Sequence, residues 1–224
     1  MDFKLNSEAI FSIVLTFKIA GICILLFLSL GSLIVFFLHI KKEGILKKLV
    51  NFLIELPLAF PPIVIGFLLL WLFSNDNYFG EILNKMHIHL VFNFYSLIIA
   101  GFIAGIPLYV KPIISSVEHF PRNIIEASLI SGKSEIYTFF KIILPSIKKI
   151  VISSLLLSVS RVLGEVGISL MLGGNIPFQT NTISLEIFTS VFNSDLHTAM
   201  ELSLILFFIS FVIFMLSKFI MKKL

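Results

Sequence analysis

Arg161 and Glu165 stand four residues apart within SVSRVLGEVGISLML, a run otherwise built from apolar and small side chains. On a helix, positions i and i+4 lie on one side, so the two charges can meet. Alone, either would cost about 2.5–3.5 kcal/mol at the centre of an inserting helix. Paired, and turned toward a water-filled passage or a subunit interface, they become tolerable. Gly164 and Gly167 flank them, and with Ser158, Ser160 and Ser169 they offer a small-residue surface for close helix approach. The chemistry on offer is the handling of an ion along a passage or at its gate; a buried structural ion pair is the other reading. Covalent catalysis lacks its parts, because histidines and acidic residues fall on different loops and form no nucleophile–base–acid set. His87 and His89 in MHIH have no third ligand beside them and read as surface loop residues.

A second polar interruption is IELPLAFPPIVIG, with Glu55, Pro57, Pro61, Pro62 and Gly66. Proline removes a backbone donor and kinks a helix. At membrane depth such backbone survives only when buried in protein or lining a cavity. Gly101, Gly105 and Pro107 repeat the theme more weakly. Beyond Leu172, Gly173, Gly174, Asn175 and Pro177 signal a turn, and Ile183 to Phe192 is an apolar stretch too short to span. It either dips into the outer leaflet or rests against the bundle. The hydroxyls of Thr180 and Thr182 either face a passing oxyanion or cap local turns.

The third unusual stretch is FPRNIIEASLISGKSEIYTFFKIILPSI, from Phe120 to Ile147, which carries Arg122, Glu126, Lys133, Glu135 and Lys141. Arg122 to Ile130 reads as a short helix with Pro121 in its first turn. Gly132 can take positive φ and turn the chain. Ile136, Phe139, Phe140 and Ile143 then follow helical spacing on one face of a second helix ending near Pro145. Such a surface lies at the lipid interface or docks into a partner's groove. The segment from Ala127 to Ser134 mimics a phosphate-binding loop, but that mechanism needs a strand before the loop, and a helical pattern precedes this one.

The elements that must hold these residues are membrane helices. The chain has 224 residues, 58% hydrophobic and 13% charged, with a mean hydropathy of +1.05; soluble domains carry about 25% charged residues. Five stretches reach the roughly 20 apolar residues that a span needs: about 10–40, 49–73, 90–114, 150–172 and 202–220. We expect one all-α domain over 1–224, with no internal repeat and no cleavable signal peptide. Cys23, the single cysteine, is a packing residue in an apolar run. Lys18 in the first span either snorkels or lines a subunit contact. Of the 17 lysines and arginines, four follow the first span (Lys41, Lys42, Lys47 and Lys48), six lie between Lys111 and Lys149, and three sit near the C-terminus. The positive-inside rule therefore sets the N-terminus outside, and the C-terminus and the loop over about 120–145 in the cytoplasm.

That loop carries a resemblance. Glu126-Ala127-Ser128, three residues, Gly132, nine residues, Ile142, one residue and Leu144-Pro145 resembles the cytoplasmic signature of ABC importer permeases, of the MetI-like class, with Ser128 where a second Ala is usual. The resemblance implies that the loop is a coupling helix seated in an ATPase subunit, through Arg122, Glu126, Ala127, Ser128, Gly132, Lys133, Tyr137, Leu144 and Pro145. LPLAFPPIVIG together with LGEVGISLMLGGNIPFQTNT is similar to the permease subunits of molybdate importers, with Val166 for the usual Phe and Ile168-Ser169 for the usual Ala-Thr. It implies a pathway or gate at Pro57, Pro61, Pro62, Gly66, Arg161, Gly164, Glu165, Gly167, Ser169, Asn175, Thr180 and Thr182. It further implies a non-catalytic subunit of a prokaryotic inner-membrane importer. Such a subunit works with a second copy of itself, two ATP-binding subunits, an extracytoplasmic oxyanion-binding protein and membrane lipid, without nucleic acid. No cofactor is expected on this chain; ATP and Mg belong to the partner ATPase. Permeases for sulfate, thiosulfate or tungstate share related segments and are the alternative, with a gradient-driven secondary transporter behind them.

Overall fold

Asn6 opens the first helix of the computed structural model, which describes residues 6–40 and 44–223. Its side chain accepts the N–H of Ala9 at 2.7 Å, satisfying one of the orphan donors at a helix start. Helix α1 (Ser7–Ile40) then runs 34 residues, widening into a π turn at Phe27–Gly31. Lys41 and Lys42, counted above for orientation, lie outside the described residues. Lys18 lies over the Phe94 ring, 4.7 Å from its centroid, in a cation–π contact.

The second predicted span is not one helix. It is α2 (Ile45–Ala59) and α3 (Pro62–Phe73), separated by Phe60 and an extended Pro61. Pro62 occupies the first turn of α3, where a missing N–H has no intrahelical partner to lose. Helix α4 (Tyr78–Lys85) follows at 58° to α3. The third span starts later and ends later than its apolar run, as α5 (Phe94–Glu118). Asn93 sets the start by accepting the N–H groups of Tyr95 and Ser96.

Next come α6 (Arg122–Ile130) and α7 (Glu135–Ser146), then an 80° bend into α8 (Lys148–Leu163). The fourth predicted span, like the second, is two pieces: α8 stops at Leu163 and α9 (Gly167–Gly173) resumes after a three-residue break. Helices α10 (Ile183–Phe192) and α11 (Leu196–Lys223) complete the fold, and no strand occurs among the described residues. Among the described residues, three helices are long and apolar enough to cross a membrane unbroken, or up to five spans when each bent pair counts as one.

Helix α5 is the axis of the bundle. Of its most apolar window 61% is buried, against 6% for α11, so α5 packs against protein while α11 presents its apolar surface outward. Phe27 stacks between Phe102 and Tyr109, at 5.4 and 5.8 Å between ring centroids. The buried Tyr109 hydroxyl meets Ser32 Oγ at 2.9 Å, so the polar tip is satisfied. The predicted short apolar stretch is α10, and it rests against the bundle: Ile183 packs with Ala9 of α1 and Leu202 of α11.

Candidate functional site

Two regions carry the residues singled out from the sequence. In the first, the breaks in the two discontinuous spans meet. A Cβ placed on Gly167 would lie 2.8 Å from Pro62 Cβ and 2.9 Å from the backbone nitrogen of Ile63. One on Gly66 would lie 2.9 Å from Ile168 Cα and 3.1 Å from the Gly167 carbonyl oxygen. Each glycine admits the backbone of the other helix, so α3 and α9 cross at contact distance. Gly164 does something different: the nearest atom to an added Cβ is Ser160 O at 3.7 Å, an ordinary contact distance, so a methyl group fits there. Pro57 sits inside α2 one turn before the break, and Pro61 and Pro62 form the break itself.

Arg161 and Glu165 do pair, with Arg161 Nη1 2.7 Å from Glu165 Oε2. The sequence places them on one helix face, but Glu165 actually sits in the break, after α8 has ended. Its other oxygen, Oε1, accepts the N–H of Ile168 at 2.7 Å and caps α9. One carboxylate thus ties the last turn of α8 to the first turn of α9, and its charge suits the positive end of α9. Glu165 is 2% exposed, whereas the Arg161 side chain is 31% exposed. The cation is therefore the member of the pair that an ion outside the fold could reach. Ser169 is buried one turn into α9.

The turn beyond α9 is locked by its own polar groups. Thr180 Oγ1 donates to Gly173 O at 2.8 Å and accepts the N–H of Ile176 at 2.7 Å, while Thr182 caps α10 through the N–H of Leu185. The hydroxyl of Thr180 is therefore committed to backbone as donor and acceptor, and that of Thr182 accepts a helix-start N–H, the turn-capping alternative read from the sequence. Asn175, at φ +48°, donates to Thr189. The sequence reading missed Thr16, whose hydroxyl accepts the N–H of Ile183, and Ser184, which donates to Leu163 O at 2.6 Å. It also missed Asn181, which donates toward Glu8 and Glu186. The only sequence signal for that set is Glu186 within an apolar stretch.

The second region is the hairpin α6–α7. Gly132 takes φ +78° in the turn, and Arg122 begins α6 directly after Pro121. Helix α6 runs to Ile130, so a helix occupies the place where a phosphate-binding loop needs a strand. Ser128 and Thr138 hydroxyls meet at 2.8 Å, both buried, and pin α6 to α7. Phe139 and Ile143 are buried as the spacing predicts, but Ile136 is 60% exposed. Phe139 and Phe140 lie 5.1 and 5.6 Å from Phe36 of α1, ring to ring, which anchors the hairpin to the end of that helix. Leu144 packs on the core near Pro145, where the hairpin leads into α8. The outer surface keeps Glu126 and Ala127 exposed, with Ile130 at 88% and Tyr137 at 44%. Lys133 lies 5.1 Å over the Tyr137 ring.

This chain is similar to several transport proteins. It is 32% identical over 211 residues to a probable transport system permease protein, NifC, of Clostridium pasteurianum, covering 94% of this chain and 73% of that one. It is 29% identical over 188 residues to the molybdenum transport system permease protein ModB of Azotobacter vinelandii, covering 84% and 83%. The sulfate transport system permease protein CysT of Escherichia coli matches at 30% over 149 residues, 66% of this chain and 54% of that one. Among solved structures, a chain of a bacterial alginate ABC transporter, in complex with an alginate pentasaccharide-bound periplasmic protein, shares the fold. The TM-score is 0.74 at 15% identity, over 97% of this chain and 80% of the other. The model of one family matches residues 28–224, and the chain belongs to that family, the inner membrane components of binding-protein-dependent transport systems.

Proposed function

We propose that this permease moves molybdate, delivered by an extracytoplasmic binding protein, through a homodimer driven by two ATPase subunits. The observation that carries the reading is the contact of the two broken spans, with the Arg161–Glu165 pair at their junction. Discontinuous helices at membrane depth form ion sites where freed backbone and helix ends line a passage. Arg161, already offset by Glu165, attracts an oxyanion without trapping it, which conduction requires. Pro61, Pro62, Gly66, Gly164, Gly167 and Ser169 shape the gate around that cation. The likeness to the molybdenum permease along most of both chains supports molybdate. The likeness to CysT supports sulfate as the second reading, over a smaller share.

The N-terminus faces outward, and the hairpin and C-terminus face the cytoplasm. The exposed surface of α6–α7, with Glu126 and Ile130, seats in the ATPase; nucleotide-driven closure there moves α1 through Phe36, Phe139 and Phe140. Uptake of labelled molybdate by the assembled transporter, with competing oxyanions, tests the substrate. Tungstate should compete and a hundredfold excess of sulfate should not; equal competition by sulfate would replace molybdate in this reading. Transport by this chain alone in vesicles, with no ATPase, would remove the ATP-driven mechanism. Labelling of a cysteine introduced at Ser131 from the cytoplasmic side alone tests the orientation.

A further inference from the structure

Glu8 and Glu186 come from distant parts of the chain and meet at Asn181, in the turn that leads into α10. Asn181 Nδ2 lies 3.4 Å from Glu8 Oε1 and 3.2 Å from Glu186 Oε2. The place is closed: Asn181 is 1% exposed and Glu186 5%, while Glu8 is half-buried. Neither carboxylate has an ion-pair partner among the described residues. His197, on the neighbouring α11, is engaged with Glu201 at 3.6 Å. Asp195 adds a third negative charge to the field at Glu186.

Buried carboxylates are held by cations or take up protons. One neutral amide is a weak substitute, and its two contacts are longer than the roughly 2.7–2.9 Å of a charge-assisted hydrogen bond. Both acids stand in the first turn of a helix, whose positive end offsets about half a charge each. What remains is negative. Burial pushes the Glu186 carboxyl above the usual carboxylate range; the hydrogen bond from Asn181 works against that, and the charges of Glu8 and Asp195 add to it. An independent sign is Asn181 Oδ1, which is buried and has no hydrogen-bond partner. It shares a carbon with the nitrogen that sits between the acids, so a half-turn of the amide exchanges the two atoms. Three oxygens from three parts of the chain then surround one point. A proton cancels one of the two charges; a divalent cation answers both and gives the amide oxygen a partner. Calcium accepts irregular oxygen sets completed by water, whereas magnesium demands a near-ideal octahedron.

We infer that Glu8, Asn181 and Glu186 form a calcium site that clasps the start of α1 to the start of α10. The ion completes a seam that Thr16 begins by accepting the N–H of Ile183 at 2.9 Å. The site is separate from the Arg161–Glu165 break and stands whichever substrate the permease moves. An extracytoplasmic source for the calcium rests on the orientation proposed above, but binding itself does not.

The test is equilibrium binding of radioactive calcium to the full chain, purified in detergent and stripped with a chelator. A single saturable site should appear, at least about tenfold tighter for calcium than for magnesium. Glu186→Gln and Glu8→Gln should each weaken it by at least about tenfold, since even outer-shell partners of a metal are worth about 10–100-fold in affinity. Asn181→Asp supplies a third carboxylate and should tighten binding several-fold, a gain that a merely structural amide bridge would not give. Should Glu186→Gln fail to fold, Glu8→Gln, at the more exposed edge, carries the same comparison. Glu81→Gln, on the exposed ion pair of α4, is the control and should change nothing. Calcium should also raise the thermal midpoint of the wild type and leave that of Glu186→Gln where it is. Absence of saturable binding, equal affinity for magnesium, or binding indifferent to Glu8→Gln and Glu186→Gln would each overturn the assignment. So would a Glu186→Gln chain as stable without metal as the calcium-loaded wild type, which would put a proton in the place of the ion.

Discussion

Glycine serves opposite ends in the two functional regions. At Gly66 and Gly167 the missing side chain lets two helices touch backbone to backbone, and the surroundings are full. At Gly132 an added Cβ would meet nothing within 4 Å; the residue is there because φ is +78°. The break crossing is complete within one chain, closed by its own carboxylate cap. The hairpin is pinned on its inner side by Ser128, Thr138 and Phe139 and leaves an apolar and charged outer surface uncovered. A region finished in itself is built to hold geometry; a region left open on one side is built to receive force from a partner. Substitutions should therefore damage stability at the first, and on the open side of the second should damage transport alone.

The largest effect should come from Glu126→Lys, a charge reversal on the open side of the hairpin. Exposed substitutions of this kind move stability by about 0.5 kcal/mol or less, so insertion and thermal stability should stay at wild-type values while uptake falls to background. Uptake at the wild-type rate would dissolve the contrast by removing the partner from the hairpin. Next is Gly167→Val, which drives a branched side chain into Pro62 and the backbone of Ile63. Overpacking of a tight contact costs about 1–3 kcal/mol, so both thermal midpoint and uptake should fall together. Gly164→Ala, only three residues away but with room for a methyl group at ordinary contact distance, should leave the midpoint unchanged. If the two behave alike, the crossing is looser than its distances.

The same contrast explains what the sequence made legible. The hairpin follows from 3.6-residue spacing, Pro121 and Gly132, all local signals that act within a few residues. The pairing of Arg161 with Glu165 is equally local. The breaks are another matter, because a hydropathy run counts apolar residues without asking whether they are helical. The run from Leu49 to Phe73 passes through Phe60 and Pro61 without a drop in hydropathy, and it is the prolines that mark the interruption there. Gly164 to Val166 is likewise apolar except for Glu165, which by spacing belongs to a helix face and in the structure is a cap. The meeting of the two breaks, the Glu55–Lys111 pair and the Asn181 contacts join residues distant in the chain, which no spacing rule reaches.

Glu165 sharpens the comparison further, since it works by charge and by hydrogen bond at once. Glu165→Gln keeps an acceptor for the N–H of Ile168 but loses the ion pair with Arg161; Glu165→Ala loses both. A cap is worth about 1 kcal/mol, so the alanine variant should be the less stable by about that amount in thermal melts. Both should lose uptake, because Arg161 without its counter-charge holds an oxyanion too tightly to release it. Equal stability of the two variants would mean that α9 starts without help from the carboxylate. Gly132→Ala is milder still: the left-handed conformation costs an alanine about 1–2 kcal/mol, paid locally in an open turn, so uptake should drop several-fold with no change in substrate preference.

The smallest predicted effect is the most specific to this chain. Ser128 stands where the related signature has alanine, and its hydroxyl meets Thr138 across the hairpin at 2.8 Å. Thr138 also donates to its own helix, to Ser134 O at 3.0 Å. Ser128→Ala therefore leaves no orphaned polar group, since Thr138 Oγ1 keeps that bond, and replaces a small side chain by one of similar size. A hydrogen bond removed without leaving a buried partner unsatisfied costs at the low end of about 0.5–1.5 kcal/mol. Uptake should remain within about twofold of wild type, in keeping with that small energy. Thr138→Val should cost more, because it strands the buried Ser128 hydroxyl on the other helix. The reverse order would mean that the two helices are held together by the apolar contacts of Phe139 and Ile143 alone, and that the serine is incidental to the hairpin.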